Sequence, residues 1–187
     1  MIYIKDNFVD EKLFNLLKKD ITKFDKIDFP GKTFWVHPAS EEFIKYVTIK
    51  LSILENCKVE NVLSFFREAK KNQDDDWRIH NDTIIENQLP DRAAVLYISP
   101  NTLSSLNGTA FWEHKKYGDT FPITETVEKF NNMLSNDAND QSKWTLKSVV
   151  GHKENRLVSY PCNYFHSKYP NEFEESRIIY VIFYKTK

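Results

Sequence analysis

The chain contains few cysteines and few glycines, and it lacks the long apolar runs that cross membranes. Only two cysteines, Cys57 and Cys162, occur among 187 residues, which is too few for a disulfide framework and fits a reducing compartment. Only four glycines occur, and this scarcity disfavours a glycine-rich phosphate loop. No apolar run reaches the roughly 18 residues of a membrane span. We therefore expect a cytoplasmic protein without a membrane partner.

An excess of charge of one sign is also lacking. Lys and Arg together number 26 and Asp and Glu number 27, which gives a formal net charge of −1. Without a basic excess, no nucleic-acid partner is expected. Charged residues interrupt the N-terminal apolar residues within the first six positions, so we expect no secretion signal there.

What is present suffices for one packed domain spanning residues 1–187. Apolar residues make up 41% of the chain and aromatic residues 14%, enough to bury a sizeable core. Residues 1–57 are predicted to be mainly helical support, with one helix capped by Asp10 and another by Ser40. Residues 58–187 are predicted to be the β core. Its runs of β-branched and aromatic residues predict strands at 62–66, 92–98, 108–114, 156–160 and 177–184.

Residues 116–143 interrupt this strand pattern and are interpreted as an insertion. Thr124 is predicted to cap a helix that runs through Leu134, with a polar loop at 135–142. Because long insertions in compact domains are often functional, we expect this one to border the mouth of a site and to be mobile. The acidic run at 74–76 is interpreted as a solvated loop. Helices followed by strands predict an α+β domain whose β part is a sandwich or open barrel.

His80 and Asp82 are the first residues of the chain that indicate a metal site. The segment 77–82 is predicted to be a strand or strand end, and residues two apart on a strand point to the same face. A lone His-x-Asp occurs often by chance, but His166 adds a second imidazole downstream. Two histidines and one carboxylate with open positions form the ligand set of non-haem Fe(II) oxygenases.

Arg177 begins the strongly apolar run at 177–184. An arginine in this place is either a surface charge at a strand edge or the buried partner of an anion. Burying an unpaired guanidinium is costly, so an inward-pointing Arg177 requires a carboxylate. A short connection between two antiparallel strands can place it beside His166.

Residues 60–185 resemble the Fe(II)/2-oxoglutarate-dependent oxygenases, especially the prolyl-hydroxylase-like branch. The resemblance rests on the order and spacing of His80-Asn81-Asp82, the segments 92–98 and 107–112, His166 and Arg177. It implies a double-stranded β-helix (a cupin-like jelly roll) with the N-terminal helices packed on one sheet. It also implies site roles: Fe(II) held by His80, Asp82 and His166, the 2-oxoglutarate carboxylate held by Arg177 and Tyr97, and a pocket wall at Phe111.

The chemistry implied by this resemblance is a dioxygenase reaction. Such an enzyme consumes O2 and 2-oxoglutarate, releases succinate and CO2, and hydroxylates a C–H bond of a peptidyl, amino-acid or small-molecule substrate. One alternative is a nucleic-acid demethylase, although Lys168 stands where such demethylases carry an asparagine. Another is a non-catalytic β-helix module, or a zinc protein that uses the same ligands.

Three further residues keep two interpretations each. His114 and His152 are either additional ligands or ordinary surface or hydrogen-bonded histidines. Trp112 is either a platform for substrate or part of the packed core.

Overall fold

A computed structural model gives the fold and describes most of the chain. The described residues are 1–21, 23–29, 32–70, 77–82, 90–100, 106–122, 125–171 and 175–187. The acidic run at 74–76 and the predicted cap at Thr124 lie outside the described residues.

The two N-terminal helices begin where the sequence predicts them. Helix α1 (Glu11–Asp20) begins after Asp10, whose carboxylate accepts hydrogen bonds from the backbone N–H groups of the first helical turn. Helix α2 (Glu41–Glu55) begins after Ser40, whose hydroxyl does the same. It ends at Asn56, which adopts the left-handed conformation (φ 54°) common at helix ends. Both predicted caps are confirmed.

Ten strands of the described residues form two sheets in which every pair is antiparallel. In chain order they are β1 (Tyr3–Lys5), β2 (Asp25–Phe29), β3 (Lys32–Pro38), β4 (Val59–Ala69), β5 (Arg92–Tyr97), β6 (Gly108–His114), β7 (Trp144–Gly151), β8 (Leu157–Pro161), β9 (His166–Tyr169) and β10 (Arg177–Thr186). The larger sheet has the order β1-β8-β5-β10-β4-β3-β2, and the smaller sheet has the order β7-β6-β9.

The two faces of the larger sheet bury different sets of residues. The outer face packs against the N-terminal helices, with Phe43 and Leu51 of α2 in one core with Phe66 and Tyr180. The inner face packs toward the smaller sheet, from which Phe111 joins the second core. Two facing antiparallel sheets, with the N-terminal helices packed on the larger one, confirm the predicted α+β double-stranded β-helix.

Several elements differ from the sequence prediction. The hairpin β2–β3 was not predicted, because the charged residues of β2 have low strand preference. Strand β7 follows the insertion directly, and most of its residues are exposed, so it lacks a clear apolar pattern. The predicted strand at 77–82 is wrong: only His80 makes a β-bridge there.

Helix α3 (Val127–Asp137) occupies the predicted insertion and lies on the outer face of the smaller sheet. It begins after Thr126, whose hydroxyl accepts a hydrogen bond from the N–H of Lys129, and it extends three residues beyond the predicted end at Leu134. Its Met133 is buried in a third core with Ile79, Trp112, Trp144 and Phe165. The insertion therefore packs against the segment that leads to His80. No described helix is long and apolar enough to cross a membrane.

A buried polar network joins α2 to the larger sheet. The Glu55 carboxylate accepts hydrogen bonds from the Tyr184 hydroxyl (2.6 Å) and the Ser159 hydroxyl (3.3 Å). It also pairs with Nε of Arg92 at 2.8 Å, and the two side chains are only 6% and 12% exposed. A charge pair this far from water depends on both partners, because either ion alone would remain buried without compensation.

We predict that Glu55→Ala destabilises the fold by about 3–5 kcal/mol, because it leaves the Arg92 guanidinium buried without its carboxylate. Urea denaturation of the variant and the wild type gives the change in the free energy of unfolding. The control is Glu113→Ala, which breaks a pair with Lys147 in which both side chains are 40% or more exposed. If Glu55→Ala changes stability no more than Glu113→Ala, the network does not anchor α2.

Candidate metal centre

A backbone bridge brings His80 and His166 together. The N–H of His80 donates to the carbonyl of His166 at 3.0 Å, and the N–H of His166 donates to the carbonyl of His80 at 2.8 Å. Residues paired in this way place their side chains on one face. The centres of the two imidazole rings accordingly lie 4.5 Å apart.

Asp82 lies on the same side of its segment, two residues beyond His80. Its N–H donates to the carbonyl of Cys162 at 2.8 Å. Because Cys162 lies just after strand β8, this hydrogen bond fixes the Asp82 backbone against the end of that strand. One carboxylate oxygen is 3.5 Å from Nε2 of His80 and the other is 3.2 Å from Nε2 of His166. The three ligand atoms lie within 4.8 Å of one another, and no other such His, Cys, Asp and Glu cluster occurs among the described residues.

Both imidazoles are oriented by hydrogen bonds at the nitrogen that faces away from Asp82. Nδ1 of His80 lies 2.7 Å from the carbonyl of Arg78, and Nδ1 of His166 lies 3.0 Å from the carbonyl of Tyr164. A carbonyl only accepts hydrogen bonds, so each Nδ1 carries the proton and each Nε2 presents its lone pair. This is the tautomer that a metal-binding histidine needs.

The backbone conformation of Arg78 helps to place the carbonyl that orients His80. Arg78 has φ 46°, a left-handed conformation that is uncommon for residues other than glycine. Its N–H donates to Oδ1 of Asn139 at 2.8 Å, and the next N–H, that of Ile79, donates to the carbonyl of Ala138 at 3.0 Å. The residues just after α3 therefore hold the segment that carries the first ligand.

The electrostatics of the cluster keep the carboxylate ionised. Burial would raise the pKa of Asp82, but the neighbouring imidazoles of His166 and His80 outweigh it and hold that pKa well below its usual range. Burial and the neighbouring His166 lower the pKa of His80. Burial would also lower the pKa of His166, but Asp82 outweighs it and raises that pKa.

The donor set of this cluster fits a divalent transition metal. Two neutral imidazole nitrogens and one carboxylate form a facial set that leaves coordination positions open. The carboxylate sits between two nitrogen lone pairs, and a cation among the three groups would neutralise its charge. His80, Asp82 and His166 therefore come together as the sequence predicts.

Arg177 lies inside the barrel near the first residue of strand β6. Its side chain is buried, and Nη2 donates to the carbonyl of Gly108 at 3.1 Å. The guanidinium carbon lies 5.5 Å from the centre of the Tyr97 ring. The buried interpretation of Arg177 is therefore correct, and Tyr97 is its neighbour.

The Tyr97 hydroxyl is already hydrogen bonded in the structure. It lies 2.8 Å from Oγ1 of Thr109 and donates to the carbonyl of Val150 at 3.2 Å. Burial raises the pKa of Tyr97, against a smaller opposing effect of the Arg177 charge. Tyr97 is thus a neutral phenol whose proton points to a backbone carbonyl.

Strand β6 connects the metal cluster to Arg177. Phe111 pairs with His166 across the smaller sheet, and Gly108, whose carbonyl binds Arg177, lies three residues away on β6. Three residues of extended strand cover about 10 Å. Phe111 is buried on the inner wall along this path, with its ring centre 5.1 Å from that of Tyr160.

The other candidate residues lie outside the cluster. His114 is buried, with Nε2 3.1 Å from the Asp137 carboxylate, and it fastens α3 to β6. His152 is buried with Nε2 3.1 Å from the carbonyl of Ser99. Trp112 is buried, and its indole N–H donates to the Ser167 hydroxyl at 2.9 Å. The structure therefore favours hydrogen-bonded histidines and a core tryptophan.

Comparisons with known proteins identify the fold but no close relative. No protein-family model and no curated protein sequence matches the chain. HygX from Streptomyces hygroscopicus, solved with nickel and 2-oxoglutarate, is 13% identical with a TM-score of 0.61 over 100% of this chain and 83% of its own. The epimerase SnoN from nogalamycin biosynthesis, described as non-haem and α-ketoglutarate-dependent, is 8% identical with a TM-score of 0.64 over 99% and 78%.

A prolyl-4-hydroxylase from Pseudomonas putida matches in the same way. It is 9% identical with a TM-score of 0.57, over 100% of this chain and 92% of its own. The chain therefore has the double-stranded β-helix fold of Fe(II)/2-oxoglutarate-dependent oxygenases. The resemblance stated from the sequence is confirmed at the level of the fold.

We predict that the purified protein binds about one Fe(II) per chain, or one Mn(II) as a surrogate. Asp82→Ala and His80→Ala should each weaken this binding at least about 100-fold. Loss of an outer partner of a metal ligand already costs about 10–100-fold, so loss of a ligand should cost more. The fold should survive, because the packed cores do not depend on these side chains. Elemental analysis after dialysis and a Mn(II) titration followed by electron paramagnetic resonance measure the binding.

The control for this prediction is His37→Gln, a histidine of strand β3 outside the cluster, which should bind metal like the wild type. Unchanged metal content in both His80→Ala and Asp82→Ala would show that the cluster is not the metal site.

Proposed function

We propose that this protein is an Fe(II)- and 2-oxoglutarate-dependent dioxygenase that hydroxylates a C–H bond. The observation that carries the proposal is the placement of two charged sites within one barrel. Three metal-binding groups converge beside Phe111, in the middle of strand β6, and the buried guanidinium of Arg177 binds the carbonyl of Gly108, about three strand residues or roughly 10 Å away. That separation suits a short cosubstrate with an acidic group at each end.

His80, Asp82 and His166 would hold the iron in this proposal. Three protein ligands leave positions for the cosubstrate and O2. With 2-oxoglutarate bound, the iron supplies the oxidising chemistry that consumes O2, releases succinate and CO2, and hydroxylates the substrate. The protein contributes geometry: the Arg78 and Tyr164 carbonyls fix both imidazole rings before the metal arrives.

Arg177 would bind the far carboxylate of 2-oxoglutarate. A guanidinium presents a planar pair of donors that matches a carboxylate, and the buried position strengthens this attraction because little water screens it. Tyr97 would add its hydroxyl, which must then turn from the carbonyl of Val150. Phe111 would form an apolar wall along the cosubstrate and keep water from it.

The substrate is proposed to be a small molecule or a peptidyl or amino-acid side chain. HygX has been solved with hygromycin B bound, and SnoN with nogalamycin RO, while the prolyl-4-hydroxylase represents the other class. The near-neutral net charge of −1 favours neither nucleic acid nor a membrane as a partner. We propose a cytoplasmic location on the grounds of low cysteine content.

The competing functions have less support from particular residues. A nucleic-acid demethylase is not favoured, because Lys168 stands where such demethylases carry an asparagine and the net charge of −1 gives no support. A non-catalytic module would not need both an intact ligand set and a buried arginine at the far end of the same interior space.

Succinate release tests the proposed function. The protein, Fe(II), ascorbate and 2-oxoglutarate should produce succinate under air, and the rate should rise with a suitable substrate. The His166→Ala variant and an anaerobic reaction serve as controls, and neither should produce succinate. Failure of the iron-loaded wild type to bind or consume 2-oxoglutarate would overturn the proposal in favour of a binding module.

We predict that Arg177→Ala weakens 2-oxoglutarate binding at least about tenfold, because a charge-assisted hydrogen bond contributes about 1.5–3 kcal/mol. Arg177→Lys keeps the charge but loses the paired donors, so its affinity should be intermediate. Tyr97→Phe should have a smaller effect. Titration of 2-oxoglutarate into the anaerobic Fe(II) protein, followed by the metal-to-ligand absorption band, measures these affinities.

Metal affinity should stay unchanged in all three variants, because neither residue is a ligand. The control Lys147→Ala removes a surface charge and should bind 2-oxoglutarate like the wild type. Wild-type affinity in Arg177→Ala would mean that the cosubstrate pocket lies elsewhere, even if the metal site is correct.

A further inference from the structure

Two successive residues at the end of helix α3 bind the backbone of the segment that carries the first metal ligand. The carbonyl of Ala138 accepts a hydrogen bond from the N–H of Ile79 at 3.0 Å. Oδ1 of Asn139 accepts one from the N–H of Arg78 at 2.8 Å, although these two residues are 61 positions apart in the chain. The insertion is therefore joined directly to the start of the metal centre.

The peptide group between Arg78 and Ile79 links this contact to the imidazole of His80. Its carbonyl lies 2.7 Å from Nδ1 of His80, and its N–H is the one that the Ala138 carbonyl accepts. In a trans peptide group the carbonyl and the N–H point in opposite directions within one rigid plane. The Ala138 carbonyl on one side of this plane therefore fixes the direction of the Arg78 carbonyl on the other side.

The direction of that carbonyl determines which nitrogen of His80 can bind a metal. A carbonyl acceptor keeps the proton on Nδ1 and leaves the lone pair of Nε2 for a cation. If the peptide plane rotated, an N–H would face Nδ1 instead and would favour the opposite tautomer. The proton would then occupy Nε2, the nitrogen that lies 3.5 Å from the Asp82 carboxylate, and a metal could not bind there.

The conformation of Arg78 makes this support necessary. Its φ of 46° is a left-handed conformation that costs free energy in any residue with a Cβ atom. The hydrogen bond to Asn139 holds the peptide group before Arg78, and the hydrogen bond from Ile79 to Ala138 holds the peptide group after it. Both backbone dihedral angles of Arg78 are therefore fixed by residues of the insertion.

The end of α3 is itself fastened to the smaller sheet through Asp137. Nε2 of His114 lies 3.1 Å from the Asp137 carboxylate, and the indole N–H of Trp144 donates to the Asp137 carbonyl at 2.7 Å. His114 and Trp144 pair across the smaller sheet and are only 3% and 4% exposed. The contact with the segment before His80 therefore starts from a fixed point in the fold.

We propose that Asn139 is a positioning residue for the metal centre, which holds His80 in its metal-binding tautomer by fixing the backbone of Arg78. Asn139 is exposed at the end of α3 and lies outside the ligand cluster, so it acts through Arg78 and not on the metal. The inference rests on the proposed function only in taking the cluster as a metal site, and neither cosubstrate nor substrate enters it. It gives the insertion a role in metal affinity.

The variant Asn139→Ala tests this inference, because it removes the oxygen that accepts the Arg78 N–H. Asn139→Asp keeps an oxygen acceptor at the same position and serves as the conservative variant. The matched control is Asn136→Ala. Asn136 is an exposed asparagine of the same helix, and its amide group donates to the carbonyl of Asn132 within α3.

Three quantities are measured on the wild type and on each variant. Mn(II) affinity is obtained by titration followed by electron paramagnetic resonance. Urea denaturation gives the midpoint of unfolding. The nitrogen chemical shifts of the His80 ring, measured by NMR on the metal-free protein at mildly alkaline pH, report which ring nitrogen carries the proton.

We expect Asn139→Ala to weaken Mn(II) binding about tenfold. Loss of a direct partner of a metal ligand costs about 10–100-fold, and Asn139 acts one step further away, so its effect should lie at the lower end. The His80 shifts of this variant should move toward the tautomer that is protonated on Nε2. Asn139→Asp and Asn136→Ala should match the wild type in both measurements, and the unfolding midpoint should fall no more in Asn139→Ala than in Asn136→Ala.

The negative results have different meanings. Wild-type Mn(II) affinity in Asn139→Ala would overturn the role of Asn139 and leave the proposed function standing. An equal loss of affinity in Asn139→Asp or Asn136→Ala would also overturn it, because the oxygen acceptor would then not be the cause. So would a loss of affinity without any change in the His80 shifts. If the wild type itself binds no metal, both this inference and the proposed function fail.

Discussion

The two hydrogen bonds between the backbones of His80 and His166 are the interaction on which the metal cluster depends. They join a segment without regular structure to strand β9, and they bring two imidazole rings into contact at an interplanar angle of 47°. Neighbouring contacts complete the placement: the residues after α3 hold Arg78 and Ile79, and the end of β8 holds Asp82. The N–H groups of residues 78 to 80 and of Asp82 are satisfied by three parts of the fold, namely the residues after α3, strand β9 and the end of β8. The irregular segment is thus fixed without a ladder of its own.

The two faces of the larger sheet have different roles: the outer face stabilises the fold, and the inner face lines the candidate site. Residues that point outward pack against α1 and α2 or join the Glu55 and Arg92 network, whereas residues that point inward line the barrel. The period-two alternation of a strand produces this division directly. As a result, the adjacent residues Ser159 and Tyr160 belong to different systems: Ser159 joins the Glu55 network and Tyr160 packs in the inner core.

The sequence predicts the parts of this protein that depend on local rules. Helix caps at Asp10 and Ser40, the strand at 108–114 and the ligand types at His80, Asp82 and His166 follow from propensity and chemistry. The nature of the segment 77–82 does not, because its conformation depends on contacts with α3 and β9 that are distant in sequence. The ring contact between Tyr160 and His166 was missed for a similar reason: Tyr160 lies in an ordinary apolar strand, and His166 belongs to the other sheet. His152 and Trp112 have chemically suggestive side chains, but their partners, Ser99 and Ser167, are distant in sequence.

The charged residues that made strand β2 hard to predict have a consequence for the protein in solution. Strand β2 lies at one edge of the larger sheet, and residues 25–28 are exposed. An open sheet edge offers unpaired N–H and carbonyl groups to any other extended chain. Asp25, Lys26 and Asp28 surround this edge with charge, and a second strand would have to strip water from them in order to add to it. The charges of β2 thus disfavour the addition of another strand at this edge of the larger sheet, a role separate from anything in the barrel.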